Sequence, residues 1–166
     1  NVTDLVVEPR VGGSIKMVGS VTGTESSKMR FRGESASTSQ CRGTIELDGD
    51  NSGYLGKINV TLAYPEKLTF GSQFTSLIVR RAENLGGVRS VFAYDALQID
   101  NGGRLEALES FELSESTRGV FISWIGRMLV AEEKELSIKQ QLTVNGRFYK
   151  EGAGTLALGG DLRLLE

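Results

Sequence analysis

Histidine is absent from this sequence, cysteine occurs once and proline twice. Without histidine the chain has no Ser/His/Asp or Cys/His triad, no His-ligated zinc and no histidine general base. The single Cys41 cannot form a disulfide within the chain, and we interpret it as a small buried residue. These absences exclude several common catalytic and metal sites and leave carboxylates as the main candidates for chemistry.

Long hydrophobic runs and a dominant charge are also missing. No apolar run approaches the roughly 20 residues that a membrane helix needs, and no signal peptide is recognisable. The 19 basic and 21 acidic residues give a formal net charge of −2, which provides no reason to expect nucleic acid as a partner. Because the chain begins at Asn1 and not at Met, we expect it to be a segment of a longer surface protein.

Glycine, in contrast, is abundant at 21 residues and separates short segments in which apolar and polar residues alternate. This pattern predicts an all-β fold of roughly 13–16 short strands joined by tight turns. A sandwich, a barrel and a solenoid all fit the spacing, and Asn101-Gly102 and Asn145-Gly146 suit hairpin turns of a sandwich. Typical strand candidates are Lys28–Arg32, Thr44–Leu47, Lys57–Leu62, Lys67–Phe70 and Val120–Ser123.

The best candidate for a helix lies between Ser123 and Leu136. Its apolar residues do not keep a spacing of 3.6, and Gly126 interrupts it. We therefore interpret Arg127–Val130 as a strand and the charged run after it as a turn.

Two short segments resemble one another. Gly43-Thr44-Ile45-Glu46-Leu47 and Gly154-Thr155-Leu156-Ala157-Leu158 both read G-T-[IL]-x-L and are followed by a Gly/Asp turn. Such an internal match favours a repeat architecture in which each unit buries its apolar face on its neighbour. We expect Ile45, Leu47, Leu156 and Leu158 to be buried, with Glu46 and Ala157 on the opposite side.

These residues resemble the autotransporter-associated β-strand repeat, also called the passenger-associated transport repeat. Lys150–Gly160 matches its K-x-G-x-G-T-L-x-L-x-G half, and Gly43–Val60 matches G-T-[IL]-x-L together with the following N-x-[YF]-x-G-x-[IT]-x-V-like stretch. The resemblance implies a right-handed parallel β-helix, that is a solenoid, in a secreted passenger. It also implies that Gly43 and Gly154 turn the chain into a strand, and it implies no catalytic residue.

From this resemblance we expect residues 1–166 to form a single β-solenoid domain. Its function would be that of a non-catalytic structural or display segment, outside the cell or on the outer-membrane surface, without cofactors. An irregular cap is expected either before Gly43 or within Phe111–Leu136, which is more charged than a usual coil. The open ends predict end-to-end self-association, and an extracellular ligand, if there is one, is not identified by the sequence.

The most motif-like polar segment is Asp48-Gly49-Asp50-Asn51-Ser52-Gly53. Asp48, Asp50 and Ser52 match the first half of a calcium-binding loop, with oxygen ligands at alternate positions. The twelfth position is Asn59, where a bidentate Glu is expected. We therefore favour a polar turn between strands over a metal site.

Two rival functions stay open. A carbohydrate-active β-helix enzyme, a lyase or a glycosidase, needs two carboxylates facing across a groove, or calcium together with a basic residue. An adhesin-like module for a host glycan or protein needs an exposed aromatic or apolar patch, for which Trp124 is the leading candidate. The carboxylates available to an enzyme are Asp95, Asp100, Glu106, Glu109, Glu132, Glu133 and Glu135.

Overall fold

The computed structural model describes residues 3–10, 12–33, 41–62 and 73–165, without the side chains of Cys41 and Arg42. The predicted strand Lys67–Phe70 and the predicted burial of Cys41 lie outside this description. One short 3-10 helix, Ala82–Leu85, occurs in the described ranges. The strands there are β1 Asp4–Val7, β2 Ser14–Met17, β3 Lys28–Gly33, β4 Cys41–Leu47, β5 Lys57–Leu62, β6 Phe74–Val79, β7 Ala93–Asp100, β8 Gly103–Ala107, β9 Phe111–Leu113, β10 Arg118–Val130, β11 Glu135–Ile138, β12 Leu142–Glu151, β13 Thr155–Leu158 and β14 Leu162–Leu164.

Every strand pair among these residues is parallel, and the chain stacks as a β-solenoid of about six turns. The predicted all-β solenoid is therefore confirmed. The alternative prediction of hairpins at Asn101-Gly102 and Asn145-Gly146 is wrong. Asn101-Gly102 lies between β7 and β8, which do not pair with each other, and Asn145-Gly146 lies inside β12. Both turns are corners of coils, because their left-handed backbone redirects the chain without reversing it.

Three sheet faces surround the core. The first face contains β1, β3, β5, β7, the first half of β10, the start of β12, and β14. The second contains β2, β4, β6, β8 and the later halves of β10 and β12, and the third contains β9, β11 and β13. The strand β10 crosses from the first face to the second at Trp124, whose φ is 55°. Its partner on the next coil is Gly146, where a Cβ would lie 2.6 Å from the Trp124 backbone nitrogen.

Inward side chains form continuous rows along the solenoid. On the first face, the parallel register places one inward residue of each coil next to the residue at the equivalent position of the next coil. The middle members of the row have 0% exposure, so each apolar side chain is sealed by the coils on both sides. This row runs Val7, Phe31, Val60, Ile99, Ile122, Val144 and Leu164.

Burial at the two matching segments follows their position in the stack. Ile45 and Leu47 are buried on the second face, where β4 lies between β2 and β6, as predicted. The prediction for Leu158 is wrong because it is 46% exposed, and Leu156 is only partly buried. Both belong to β13, which pairs with β11 on one side and with no other strand of the described residues.

The two segments also occupy different faces. Gly43-Thr44-Ile45 lies in β4 on the second face, whereas Gly154-Thr155-Leu156 leads into β13 on the third. Their similarity therefore encodes the same local turn and strand, and not equivalent places in successive coils.

The charged region Phe111–Leu136 is a regular coil and not a cap. Arg127–Val130 belongs to β10, and the charged residues that follow form the turn before β11, as predicted. Inward residues of this coil, such as Ile122 and Met128, have 0% exposure. The expectation of an irregular cap here is wrong because the acidic residues lie on outward positions or in turns. The two buried cations have partners: Arg118 donates to backbone carbonyls of neighbouring coils, and Arg127 pairs with Glu151.

A pair of buried asparagines supports the turns between the second and first faces. Asn51 Nδ2 donates to the Asn84 carbonyl over 2.9 Å, and Asn51 Oδ1 accepts from the Val21 amide over 2.7 Å. Asn84 in turn donates to the Gly49 carbonyl and accepts from the amides that follow β6. These side chains satisfy backbone groups that three successive coils would otherwise leave buried and unpaired.

Candidate functional site: a polar cleft on the first sheet face

The first sheet face is interrupted by a bulge in β7. Tyr94, Asp95 and Ala96 of β7 stand opposite the single residue Gly119 of β10, where the register between the two strands shifts. A Cβ at Gly119 would lie 2.5 Å from the Tyr94 carbonyl oxygen, so glycine permits this close approach. Bulges re-aim side chains and commonly occur beside functional sites.

Below the bulge a cleft of about 240 Å³ opens across three coils. The lining residues come from β3, β5 and β7, which the parallel register holds side by side. The residues that line it are Lys28, Met29, Arg30, Lys57, Ile58, Asn59, Asp95, Gln98 and Asp100.

Three cations contribute to the cleft in different ways. The Lys57 ammonium lies 2.7 Å from an Asp95 carboxylate oxygen, and Arg30 lies 2.7 Å from Asp4 at the edge. Lys28 is exposed and makes no ion pair with any residue in the described part of the chain. The cleft therefore offers one unpaired ammonium and two cations whose partners are partly exposed carboxylates.

Asp100 closes the cleft at its corner end. Its Oδ2 accepts a hydrogen bond of 2.7 Å from Gln98 Nε2, while its Oδ1 is buried and accepts none from the described residues. Burial raises the pKa of Asp100, although the polar side chains of Thr61, Asn59 and Gln98 oppose this shift. A carboxyl of this kind can accept hydrogen bonds when ionised and donate one when protonated.

The carboxylates proposed for an enzyme are distributed over the molecule. Asp95 and Asp100 share the cleft. Glu106 forms an ion pair with Arg104 on the second face, and Glu109 lies 2.7 Å from Lys134. The remaining candidates are exposed and lie in or directly after the turn that precedes β11, namely Glu132, Glu133 and Glu135.

The segment from Asp48 to Gly53 forms a turn between β4 and β5. Asp48 lies 2.8 Å from Lys16 Nζ, and the Lys16 hydrogen bond lowers the pKa of this carboxyl. Asp50 accepts a 2.9 Å hydrogen bond from the Ser52 amide, which likewise lowers its pKa. The described residues contain no group of three or more His, Cys, Asp or Glu that could hold a metal ion. Asp48 thus has a structural partner in β2, and Asp50 has one within the turn.

Trp124 is 72% exposed at the corner between the first and second faces. Left-handed backbone is unusual for so bulky a residue and costs about 1–2 kcal/mol. β10 is paired with parallel neighbours on both sides, and these pairings hold the strained corner in place. The exposed ring agrees with what a binding residue requires, and its role in binding stays a prediction.

An exposed apolar loop precedes the bulge and was not anticipated from the sequence. Val88, Val91 and Phe92 all project into solvent. Between them Arg89 is buried, donating to the Leu55 carbonyl and lying 4.0 Å from Glu25. The run V-R-S-V-F after Gly86-Gly87 was the available signal, because it places apolar residues in a segment bounded by turn residues.

Lys28, Arg30 and Lys57 were not predicted as site residues, since their alternation with apolar residues fits an ordinary exposed strand side.

Comparison with protein-family models, curated proteins and solved structures finds no match to this chain. The resemblance to the autotransporter repeat therefore stays a prediction from the motifs. No helix in the described ranges is long and apolar enough to span a membrane.

Proposed function

We propose that this chain is a non-catalytic structural and display segment of a secreted or cell-surface passenger of the autotransporter type, with right-handed coils. The observation that supports this most is the continuous inward row from Val7 to Leu164. Each coil buries its apolar side chains on the next coil, so a stack can assemble one coil at a time. Such a stack projects its outer loops without depending on them for its core.

The ion pairs on the outer surface also support a scaffold. Glu46 bridges Lys16 and Arg80, and Glu151 bridges Arg104 and Arg127, so each pairing joins strands of different coils. These carboxylates tie coils together.

The test is surface labelling in the cells that produce the protein. An epitope inserted between Glu132 and Glu133, in the exposed turn before β11, should be recognised by antibody on intact cells. An epitope on a known cytoplasmic protein of the same cells, which should be labelled only after permeabilisation, provides the control. Labelling of the Glu132 insertion only after permeabilisation would contradict a display function.

An adhesin-like binding module is a second candidate function. It is favoured by the exposed loop side chains Val88, Val91 and Phe92 and by the exposed ring of Trp124. Exposed apolar groups held on a rigid frame are typical of interaction sites. Display and adhesion are compatible, because a solenoid can carry a binding site on one face.

A further inference from the structure

The polar cleft on the first sheet face adjoins two aromatic rings. Tyr94 belongs to the bulge directly before Asp95, and Phe121 is the register partner of Gln98 on the next coil. Their rings pack edge to face, with centroids 5.4 Å apart and planes at 76°. Tyr94 keeps nearly half of its surface exposed. An aromatic platform therefore stands beside a group of charged and amide side chains.

This combination matches a sugar ring. A pyranose has hydroxyl groups around its edge and an apolar C–H face, so it needs hydrogen-bonding partners next to an apolar surface. Asn59 and Gln98 provide amides, and Asp95 and Asp100 provide carboxylate oxygens. Ligand sites generally combine an aromatic surface with a few polar groups that fix orientation.

The charge of the cleft further restricts the ligand. Lys28, Arg30 and Lys57 line it from two neighbouring coils, and Lys28 has no acidic partner among the described residues. An ammonium in a half-enclosed cleft favours an anionic group on the ligand, because a charge-assisted hydrogen bond is stronger than a neutral one. A bound metal cation fits less well, since Lys57 already occupies Asp95.

We propose that the cleft and the adjoining Tyr94–Phe121 pair bind an acidic saccharide, that is, a sugar ring bearing a carboxylate. Lys28 would bind the carboxylate of the sugar, the amides and Asp100 would bind its hydroxyls, and Tyr94 would contact its C–H face. The proposal rests on the adhesin-like candidate function for its role, but it places the ligand in the cleft and not at the exposed loop or at Trp124. It is tested on the purified chain, so that its failure is separate from failure of the surface-labelling experiment.

The experiment is a titration of the isotopically labelled chain, followed by the chemical shifts of its backbone amides. The probes are a hyaluronan tetrasaccharide and the same tetrasaccharide with its carboxylates methyl-esterified. We expect the acid to shift amides of β3, β5 and β7 around the cleft, and the ester to bind about tenfold more weakly because it cannot pair with Lys28.

Two variants separate the charge contribution from the aromatic one. Lys28→Met should weaken the acid about tenfold and leave the ester unchanged, whereas Tyr94→Ala should weaken both probes by about threefold or more. Lys16→Met, which removes an exposed cation from the second face, is the matched control and should bind as the parent does. The spectra of the free variants verify that each remains folded.

Three results would overturn the proposal. The first is an absence of chemical-shift changes around the cleft with either probe, and the second is equal affinity for the acid and the ester. The third is a Lys28→Met variant that binds the acid as tightly as the parent does. Shifts confined to Trp124 and its neighbours would instead place saccharide binding at the corner and would equally contradict the cleft.

Discussion

Truncating two side chains of the same inward row to alanine should lower the free energy of unfolding by very different amounts. Ile122 and Leu164 belong to the same row, but Ile122 has 0% exposure between Ile99 and Val144 whereas Leu164 is 74% exposed. Ile122→Ala leaves a cavity sealed by coils on both sides, and we expect it to lower the free energy of unfolding by about 3 kcal/mol. Substitutions of this type span roughly 2–5 kcal/mol.

Leu164→Ala removes a side chain of similar size with little burial. Only about a quarter of its surface is covered, and full burial of a leucine contributes about 1.5–3 kcal/mol, so the expected cost is about 0.5 kcal/mol. The difference in stability between the two variants therefore reflects how far neighbouring coils bury the side chain, and not the number of atoms removed.

Urea unfolding followed by circular dichroism measures both free energies. The slope against urea should be the same in both variants and the parent, because the surface exposed on unfolding hardly changes. Costs that agree within about 1 kcal/mol, or a larger cost for Leu164→Ala, would refute the reasoning that position in the stack determines burial.

Three further outcomes follow from single residues. Trp124→Gly should be more stable than Trp124→Ala by about 0.5–1 kcal/mol, because only glycine relieves the left-handed strain; the opposite order in thermal melts would contradict that backbone conformation. Since burial raises the pKa of Asp100 above its ordinary 3.8, the ionised form destabilises the fold, and the penalty grows as pH rises through and above that value. Asp100→Asn should accordingly raise the melting temperature at neutral pH and not at acidic pH, and an equal gain at both would contradict the shift. Asn84→Ala should cost about 3 kcal/mol or more in urea unfolding, because it leaves several buried backbone groups unpaired, and a cost below about 1 kcal/mol would show that those groups find other partners.

Alternating apolar residues were sufficient to predict most strands. Lys57–Leu62 is an example, because one side of that strand faces the core and the other faces solvent. The parallel pairing of the strands was predicted from the resemblance at Gly43–Val60. The alternation could not predict it, because alternation fits hairpins equally well. The motif describes a local turn and strand, so it could not reveal that its two copies lie on different faces.

The corner at Trp124 and the bulge in β7 were the features that the sequence concealed. Val120–Ser123 and Arg127–Val130 were predicted as separate strands, but they form one strand that bends at a left-handed tryptophan. In the sequence, the adjacent apolar residues Ala96 and Leu97 break the alternation of β7 and were the signal for the bulge, and both are buried in the structure. The cleft depends on side chains from three coils, and no local pattern shows which coils become neighbours.

Methyl–methyl NOE spectroscopy of the purified chain tests the central claim of stacked parallel coils most directly. The row predicts a series of contacts from Val60 to Ile99, from Ile99 to Ile122 and from Ile122 to Val144. Observation of all three would establish the stack that holds the cleft residues together. Contacts instead between β7 and β8 in an antiparallel pattern, without the row, would contradict the solenoid and the functions proposed from it.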